Sequence, residues 1–403
     1  MVQRFIAGCF ATTIVAAFLF VASPAQAQVG EWAFKRLNTA HEAMGESKYK
    51  DAEDALNRMK DRLGRLNDNE AALMWQTFGH LYFTQSKYKP AAEAFEKSLA
   101  TGALNPAQIA DMRFNLGQLY MAMERWKDAV KTFELWLPSV QNPSPDARFI
   151  LGQAYIQTKA WPKALAQVSV AVSAKRKPPE AWLQTLGSCQ FQLKKNRDLA
   201  RTLTRLIELY PKASYWLQLG GVYGELDDEK RSLAVYQLAY AGGFLSDPNH
   251  IKNLAQMLVY QNVPLRGAQI LEKEMDTTKR IEVNVDNLKI LADAWVRAKE
   301  LDTAVKPLAR AAKLGKSGEL YLRLAQLHLE SERWDAAVKA AGDAVSTGKL
   351  KDSGQAYLIR GIAAFYGGKR GAAMKALQRA SRSKNATTAN VARQWLALIS
   401  SVA

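Results

Sequence analysis

The side chains best suited to chemistry in this 403-residue chain are few: four histidines, His41, His80, His250 and His328, and two cysteines, Cys9 and Cys189. His41 and His80 stand at equivalent places in consecutive segments, where they could face each other. Two neutral imidazoles without a placed carboxylate or thiolate make a poor metal site, so the pair reads as hydrogen-bonding groups on a binding face. Cys189, two residues after Gly187, reads as a small buried hydrophobe rather than a reactive thiol. The sequence holds no Gly-x-Ser-x-Gly elbow, phosphate loop, His-Glu-x-x-His or paired Cys-x-x-Cys. Gly220-Gly221 with Gly224 is glycine-rich, but Trp216, Leu219 and Tyr223 interleave it at helical spacing and no strand precedes it, which excludes a dinucleotide loop. The expectation is a protein that is not an enzyme, with no catalytic residue, cofactor, metal or small-molecule substrate.

The elements that carry these residues repeat. A small residue closes an apolar helical stretch ten times: Ala40, Gly79, Gly117, Gly152, Gly187, Gly220, Ala255, Ala292, Ala325 and Gly361. The interval runs from 33 residues (Gly187 to Gly220) to 39 (Ala40 to Gly79). Twelve residues after each stands a second column: Ala52, Ala91, Ala129, Ala164, Leu199, Ser232, Gly267, Ala304, Ala337 and Ala373. Two helices that cross closely need small residues where their backbones approach, so the paired columns predict a helical hairpin copied in series. A leucine often precedes the first column, and Tyr82, Tyr120, Tyr155, Tyr223 and Trp295 follow it by three, which places them on one buried stripe. Tyr49, Tyr88, Trp126, Trp161 and Trp334 fall at the turn into the second helix. Pro211 fits as a helix stop between repeats.

These residues resemble the tetratricopeptide repeat, with its Trp, Leu-Gly, Tyr, Ala and Phe signature, best matched by Trp75, Phe78-Gly79, Tyr82, Ala91 and Phe95. The resemblance covers Ala33 to about Ser383 and implies an all-α, tetratricopeptide-type α-solenoid of about ten hairpins. The repeat around Ala255, with Pro264 and Gly267 and no aromatic after the small residue, departs furthest from the pattern. The domain organisation expected is a leader at 1–27, an N-terminal lobe at 28–245, a C-terminal lobe at 246–386 and a capping helix at 387–403. The joint between lobes falls at Ala241-Gly242-Gly243-Phe244, where two glycines weaken helix and Pro248 restarts it. Val391, Trp395, Leu398 and Ile399 recur at helical spacing in the final segment, as a cap over the last repeat requires.

The first thirty residues are a different kind of sequence. Arg4, an apolar run from Phe5 to Val21, and Ala25-Gln26-Ala27 read as a cleavable secretory leader with the mature chain starting at Gln28. An uncleaved segment anchored in the inner membrane is the alternative, although the run is short for a full span. Ile6-Ala7-Gly8-Cys9 resembles a lipoprotein box, but it precedes most of the apolar run and would leave no workable leader. Export to a periplasm is therefore expected. Removal of the leader leaves Cys189 alone, so the repeats must be held by packing rather than a disulfide.

With 48% hydrophobic and 23% charged residues the chain can bury a continuous core. Its formal charge is +17. In an exported protein this does not point to nucleic acid; the basic residues are scattered, with short clusters at Lys175-Arg176-Lys177 and at Lys194-Lys195 with Arg197. They read as a solvated helix face or as a docking patch for an anionic envelope surface.

In this architecture the first helix of each pair lines a concave groove, so the residue after the small column should point into it. That row includes His41, His80, Gln118, Gln153, Gln256, Asp293 and Gln326. Three residues further on stand Met44, Phe83, Met121, Ile156, Phe191 and Phe365. A row of amides beside an apolar row suits a peptide, whose backbone the amides can both donate to and accept from. The protein-binding groove is assigned to His80, Phe83, Gln118, Met121, Gln153, Ile156, Phe191 and Gln192. It resembles only partly the carboxylate clamp of some tetratricopeptide repeats, through Lys252, Asn253 and Lys289. Residues 214–245, from Ser214-Tyr215-Trp216 through Tyr223-Gly224-Glu225-Leu226 to Tyr240-Ala241-Gly242-Gly243-Phe244-Leu245, are similar to tetratricopeptide proteins that accompany TonB, ExbB and ExbD. That resemblance implies a periplasmic accessory of nutrient or iron uptake; a scaffold for cell-envelope assembly is the alternative.

Overall fold

The computed structural model describes residues 29–401. The leader expected at 1–27, and the start at Gln28, lie outside the described residues. Among those described there are 21 α-helices and no strand, and the chain is an all-α, tetratricopeptide-type solenoid. No helix among them is long and apolar enough to cross a membrane.

The chain divides into two compact units, one ending at Tyr210 and the other beginning at Pro211. Five hairpins form the first: α1 (Glu31–Gly45) with α2 (Tyr49–Lys60), α3 (Asp68–Thr84) with α4 (Tyr88–Ala100), α5 (Pro106–Ala122) with α6 (Trp126–Trp136), α7 (Pro145–Gln157) with α8 (Trp161–Ser173), and α9 (Glu180–Gln192) with α10 (Asn196–Leu209). Five more form the second: α11 (Ala213–Glu225) with α12 (Glu229–Ala241), α13 (Pro248–Tyr260) with α14 (Pro264–Glu272), α15 (Val285–Arg297) with α16 (Leu301–Gly315), α17 (Gly318–Glu330) with α18 (Trp334–Thr347), and α19 (Ser353–Tyr366) with α20 (Arg370–Ala380), followed by α21 (Ala386–Ser401). Gly242-Gly243 ends a helix inside the second unit, where Leu245 is buried with Leu233 and Ile251.

The paired columns lie where the helices touch. Ala40, Ala52, Ala91, Ala129 and Ala164 are fully buried in the first unit, as are Ala255, Ala304, Ala325, Ala337 and Ala373 in the second. A side chain added at Gly117 would meet the ring of Phe133 at 2.6 Å, and one at Gly152 would meet Val168 at 2.5 Å. At Gly187 the nearest atom, from Leu199, is 3.3 Å away. The bulky member of the second column thus fits because its partner on the first helix is glycine.

Each of the ten hairpins turns in the same way. The residue two before the second helix adopts a left-handed conformation: Ser47, Ser86, Glu124, Lys159, Lys194, Asp227, Asn262, Lys299 and Glu332 at φ between 54° and 60°, and Gly368 at 74°. The following N–H then reaches the carbonyl five residues back, as from Lys87 to Tyr82 and from Arg125 to Tyr120, both at 2.8 Å. This closes the first helix with the paired bonds of a Schellman motif. Seven of the ten first helices begin on polar caps: Asn67 with Glu70 and Asn105 with Gln108 form reciprocal capping boxes, while Ser144, Asp247, Asn284, Ser317 and Asp352 accept from their helices' first N–H groups.

The repeat around Ala255 keeps the hairpin and alters its second half. Pro264 opens α14, where it costs no hydrogen bond, and a Cβ on Gly267 would stand 2.6 Å from the Ala255 carbonyl. The helix then widens into a π turn at Lys273–Thr277, which carries Glu274 into the core. That carboxylate is fully buried and accepts from Arg280 at 2.5 and 2.7 Å, Thr278 at 2.6 Å and Tyr240 at 2.6 Å. Arg280 also donates to the Leu245 carbonyl at 3.1 Å. A buried charge is tolerated when every lone pair is met in this way. The final helix, α21, buries Ala392 and Ile399 and sets Trp395 edge-on to Phe365 and Tyr366, with centroids 5.8 and 5.9 Å apart. Arg370 donates to the Ile399 carbonyl at 2.6 Å.

Candidate protein-binding face

In the first unit the first helices α3, α5, α7 and α9 present the predicted row. His80, Gln118 and Gln153 are half-buried, and neither Gln118 nor Gln153 has a side-chain hydrogen-bond partner among the described residues. Phe83 and Ile156 are half-buried, Gln192 is exposed, and Phe191 is 57% exposed although it is aromatic. Phe83 lies 6.4 Å from the ring of Tyr88, a residue that also shows surface. Met121 is different: it is 6% exposed and belongs to the core beside Leu119 and Tyr120. At that repeat the apolar row packs inward and offers a partner no surface.

The two histidines share this face. Thr77 Oγ1 lies 3.3 Å from His41 Nε2, and His80 follows Thr77 by three residues on the same helix, with its imidazole edge-on to Phe95 at 5.1 Å. Burial, and secondarily the neighbouring His41, pull the His80 pKa down to about 4, and burial lowers His41 as well. Both are therefore neutral at physiological pH, and His41 meets Thr77 without a charge. No three histidine, cysteine, aspartate or glutamate side chains among the described residues come together to hold a metal. Cys189 lies fully buried in the core, where burial pushes its thiol up to about 11, far from the reactive thiolate range.

The two basic clusters stand apart. Lys175, Arg176 and Lys177 occupy the turn before α9, and Lys194 and Lys195 the turn after it with Arg197 in the first turn of α10, at opposite ends of a helix that is roughly 20 Å long. Lys175 pairs with Asp146 at 3.1 Å and lies over the Trp182 ring at 4.4 Å; Lys177 lies over Tyr210. Arg205 donates to the carbonyls of Lys175 and Arg176, each at 3.0 Å. The first cluster thus fastens a turn as well as carrying charge, while Lys194 holds the left-handed position of the next turn.

The second unit has a cleft of about 590 Å³ on its first-helix side, lined by Lys289, Glu319, Arg323, Gln326 and Gln355 among others. Arg323 is paired with Asp293, the residue of the amide row on α15. Gln326 was legible from its register, and Lys289 from its partial resemblance to a carboxylate clamp. Arg323 and Gln355 were not, because neither lies in the two rows followed along the sequence.

The tetratricopeptide repeat family model matches residues 77–144 and 322–386. Both segments are tetratricopeptide repeats. The chain's general role is that of a protein–protein interaction scaffold. Solved structures similar to parts of this tetratricopeptide chain include YrrB, described as a repeat protein with an unusual peptide-binding site, at 18% identity over 48% of this chain and 99% of that one, TM-score 0.35. MamA from Desulfovibrio magneticus RS-1 is 20% identical over 45% of this chain and 97% of its own, TM-score 0.36. The C-terminal part of a tetratricopeptide protein from Cytophaga hutchinsonii is 12% identical over 69% and 95%, TM-score 0.38. No curated protein sequence matches the chain.

Proposed function

We propose that the first unit holds an extended protein segment against α3, α5, α7 and α9, and that the protein works without catalysing a reaction. The observation that carries this is the pairing of unpartnered amides, Gln118 and Gln153, with apolar surface at Phe83, Ile156 and Phe191. An amide left half-buried without a partner gains from a backbone that supplies both a donor and an acceptor. Phe191 loses unfavourable hydration when covered.

The leader-like residues before Gln28 support export to the periplasm, with an uncleaved inner-membrane anchor as the alternative. N-terminal sequencing of the protein from the cell envelope separates the two: a start at Gln28 means cleavage, and an intact leader means an anchor. The similarity of residues 214–245 to proteins accompanying TonB, ExbB and ExbD supports a place beside such an energy-transduction system in nutrient or iron uptake. Purification of the protein from chemically crosslinked envelopes tests that place. Recovery of TonB, ExbB, ExbD or an outer-membrane receptor supports it. Recovery of peptidoglycan or polysaccharide-export proteins instead supports a scaffold for envelope assembly, a reading favoured by the formal charge of +17, which suits an anionic polymer or lipid surface.

A further inference from the structure

A tyrosine–carboxylate contact joins successive repeats of the first unit, and it stops at one junction. Tyr82 donates to Glu53 at 3.2 Å, Tyr120 to Glu96, and Tyr155 to Glu134 at 3.1 Å. In each case the tyrosine stands three residues after the first small column and the carboxylate lies on the second helix of the preceding repeat. Glu96 and Glu134 both follow the second column by five. At the junction between the fourth and fifth hairpins the equivalent positions are Gln190 and Ser169. The ring and the carboxylate are both missing.

Their absence leaves a space. A cleft of about 390 Å³ opens between α8, α9 and α10, lined by Ser169, Gln190, Leu165, Leu183, Leu186 and Thr202, with Lys195, Asp198, Arg201 and Arg205 around it. Gln190 is 6% exposed, and its Oε1 has no hydrogen-bond partner. A buried acceptor left unmet costs roughly 1–3 kcal/mol, and a native chain that retains one needs a reason. Of the charges at the cleft, Asp198 is paired with Arg201. Arg205 is fixed by its two bonds to the Lys175 and Arg176 carbonyls. Lys195 has no ionic partner among the described residues. Three cations and one carboxylate leave the rim positive.

We propose that this cleft is a second binding site, which takes a tyrosine side chain from an acidic segment of a protein partner. The ring would lie against Leu165, Leu183 and Leu186, in the space that the ladder tyrosines fill from within at the other junctions. Its hydroxyl would donate to Gln190 Oε1, and acidic residues beside it would meet Lys195, Arg201 and Arg205. The site is built from second helices and the inward stripe of α9, Leu183, Leu186 and Gln190. It is distinct from the face that carries Gln118 and Gln153.

Calorimetric titration of the full chain with the acetylated, amidated tripeptide Asp-Tyr-Glu tests this. Binding is expected, weakened about tenfold when the tyrosine is replaced by alanine, a loss of roughly one hydrogen bond and its apolar contact. Gln190→Tyr, which fills the space from within, should abolish binding, and Lys195→Glu should weaken it about tenfold. Ser169→Glu supplies the same loss by repulsion, should Gln190→Tyr fail to fold. The double variant Gln118→Ala/Gln153→Ala should bind the tripeptide as the parent chain does, so a failure of the first-helix face and a failure of this cleft are distinguishable. Absence of binding at millimolar peptide, or equal affinity in the parent chain and in Lys195→Glu and Ser169→Glu, would overturn the proposal.

Discussion

A methyl group placed on Gly79 would stand 2.3 Å from the ring of Phe95. No carbon–carbon contact survives at that distance, so the first and second helices of this repeat can cross as they do only because position 79 has no side chain. Gly79→Ala should therefore destabilise the first unit by about 2 kcal/mol, as overpacking of a closed core does. Chemical denaturation checks this, and the double variant with Phe95→Leu should recover part of the loss because the obstructing ring is gone.

The hairpin turns make a subtler prediction. Glu124 and Lys159 adopt φ near 58° without being glycine, a conformation that costs an ordinary residue about 1 kcal/mol. Lys159→Gly removes that strain while adding freedom to the unfolded chain, so its effect on the melting midpoint should be small. Lys159→Val should lose more than 1 kcal/mol, because a branched Cβ fits the left-handed region worst.

These turns show where the sequence was legible and where it was not. The two small columns and the aromatic stripe mark helix crossings because only a few side chains fit a close approach, and Ala52, Ala91, Gly117 and Gly152 stand where that reading put them. The turn residue is invisible in the same rows. Ser, Glu, Lys, Asp and Asn all occupy it, since the Schellman bonds impose the conformation and the side chain points outward. Met121 was placed on the binding face by its register and is buried, because spacing along a helix fixes direction but not what the neighbouring repeat covers. Gln190 went unremarked as a site because its significance depends on Ser169, a residue on another helix.

The ladder tyrosines should each contribute measurably. Tyr155 is held by Glu134, which is also bonded to Lys163 at 2.7 Å, and burial with that carboxylate pushes its phenol up to about 12. Tyr155→Phe should cost about 1 kcal/mol in denaturant unfolding, the usual net worth of such a bond. The corresponding change at Tyr223, which has no such carboxylate bond among the described residues, should cost less.

Acid should act on the two units by different routes. His80 has a depressed pKa in the folded chain, so the unfolded chain binds the proton more readily. Its contribution is complete above the ordinary histidine value and is lost as pH falls toward about 4. Discounted for the solvent that still reaches the ring, this amounts to about 1–2 kcal/mol across that window. His80→Gln should flatten the dependence of the melting midpoint on pH between 6.5 and 4.

Glu274 belongs to the second unit. Burial alone would raise its pKa, but the bonds from Arg280, Thr278 and Tyr240 outweigh it and the net shift is downward. Its stabilisation is present above the ordinary carboxylate range and disappears as pH falls through the lowered value. Glu274→Gln should cost about 3 kcal/mol by leaving Arg280 without its partner, with the loss of hydrogen-exchange protection centred on residues 240–281.

A protein partner is proposed to lie across the first helices of the first unit. A photoreactive amino acid placed at Gln118 or Gln153, and separately at Leu135 on the exposed side of α6, measures this directly in cells, with the captured proteins identified by mass spectrometry. One partner should be captured strongly from Gln118 and Gln153 and weakly from Leu135. Equal capture from all three positions, or capture from Leu135 alone, would contradict it.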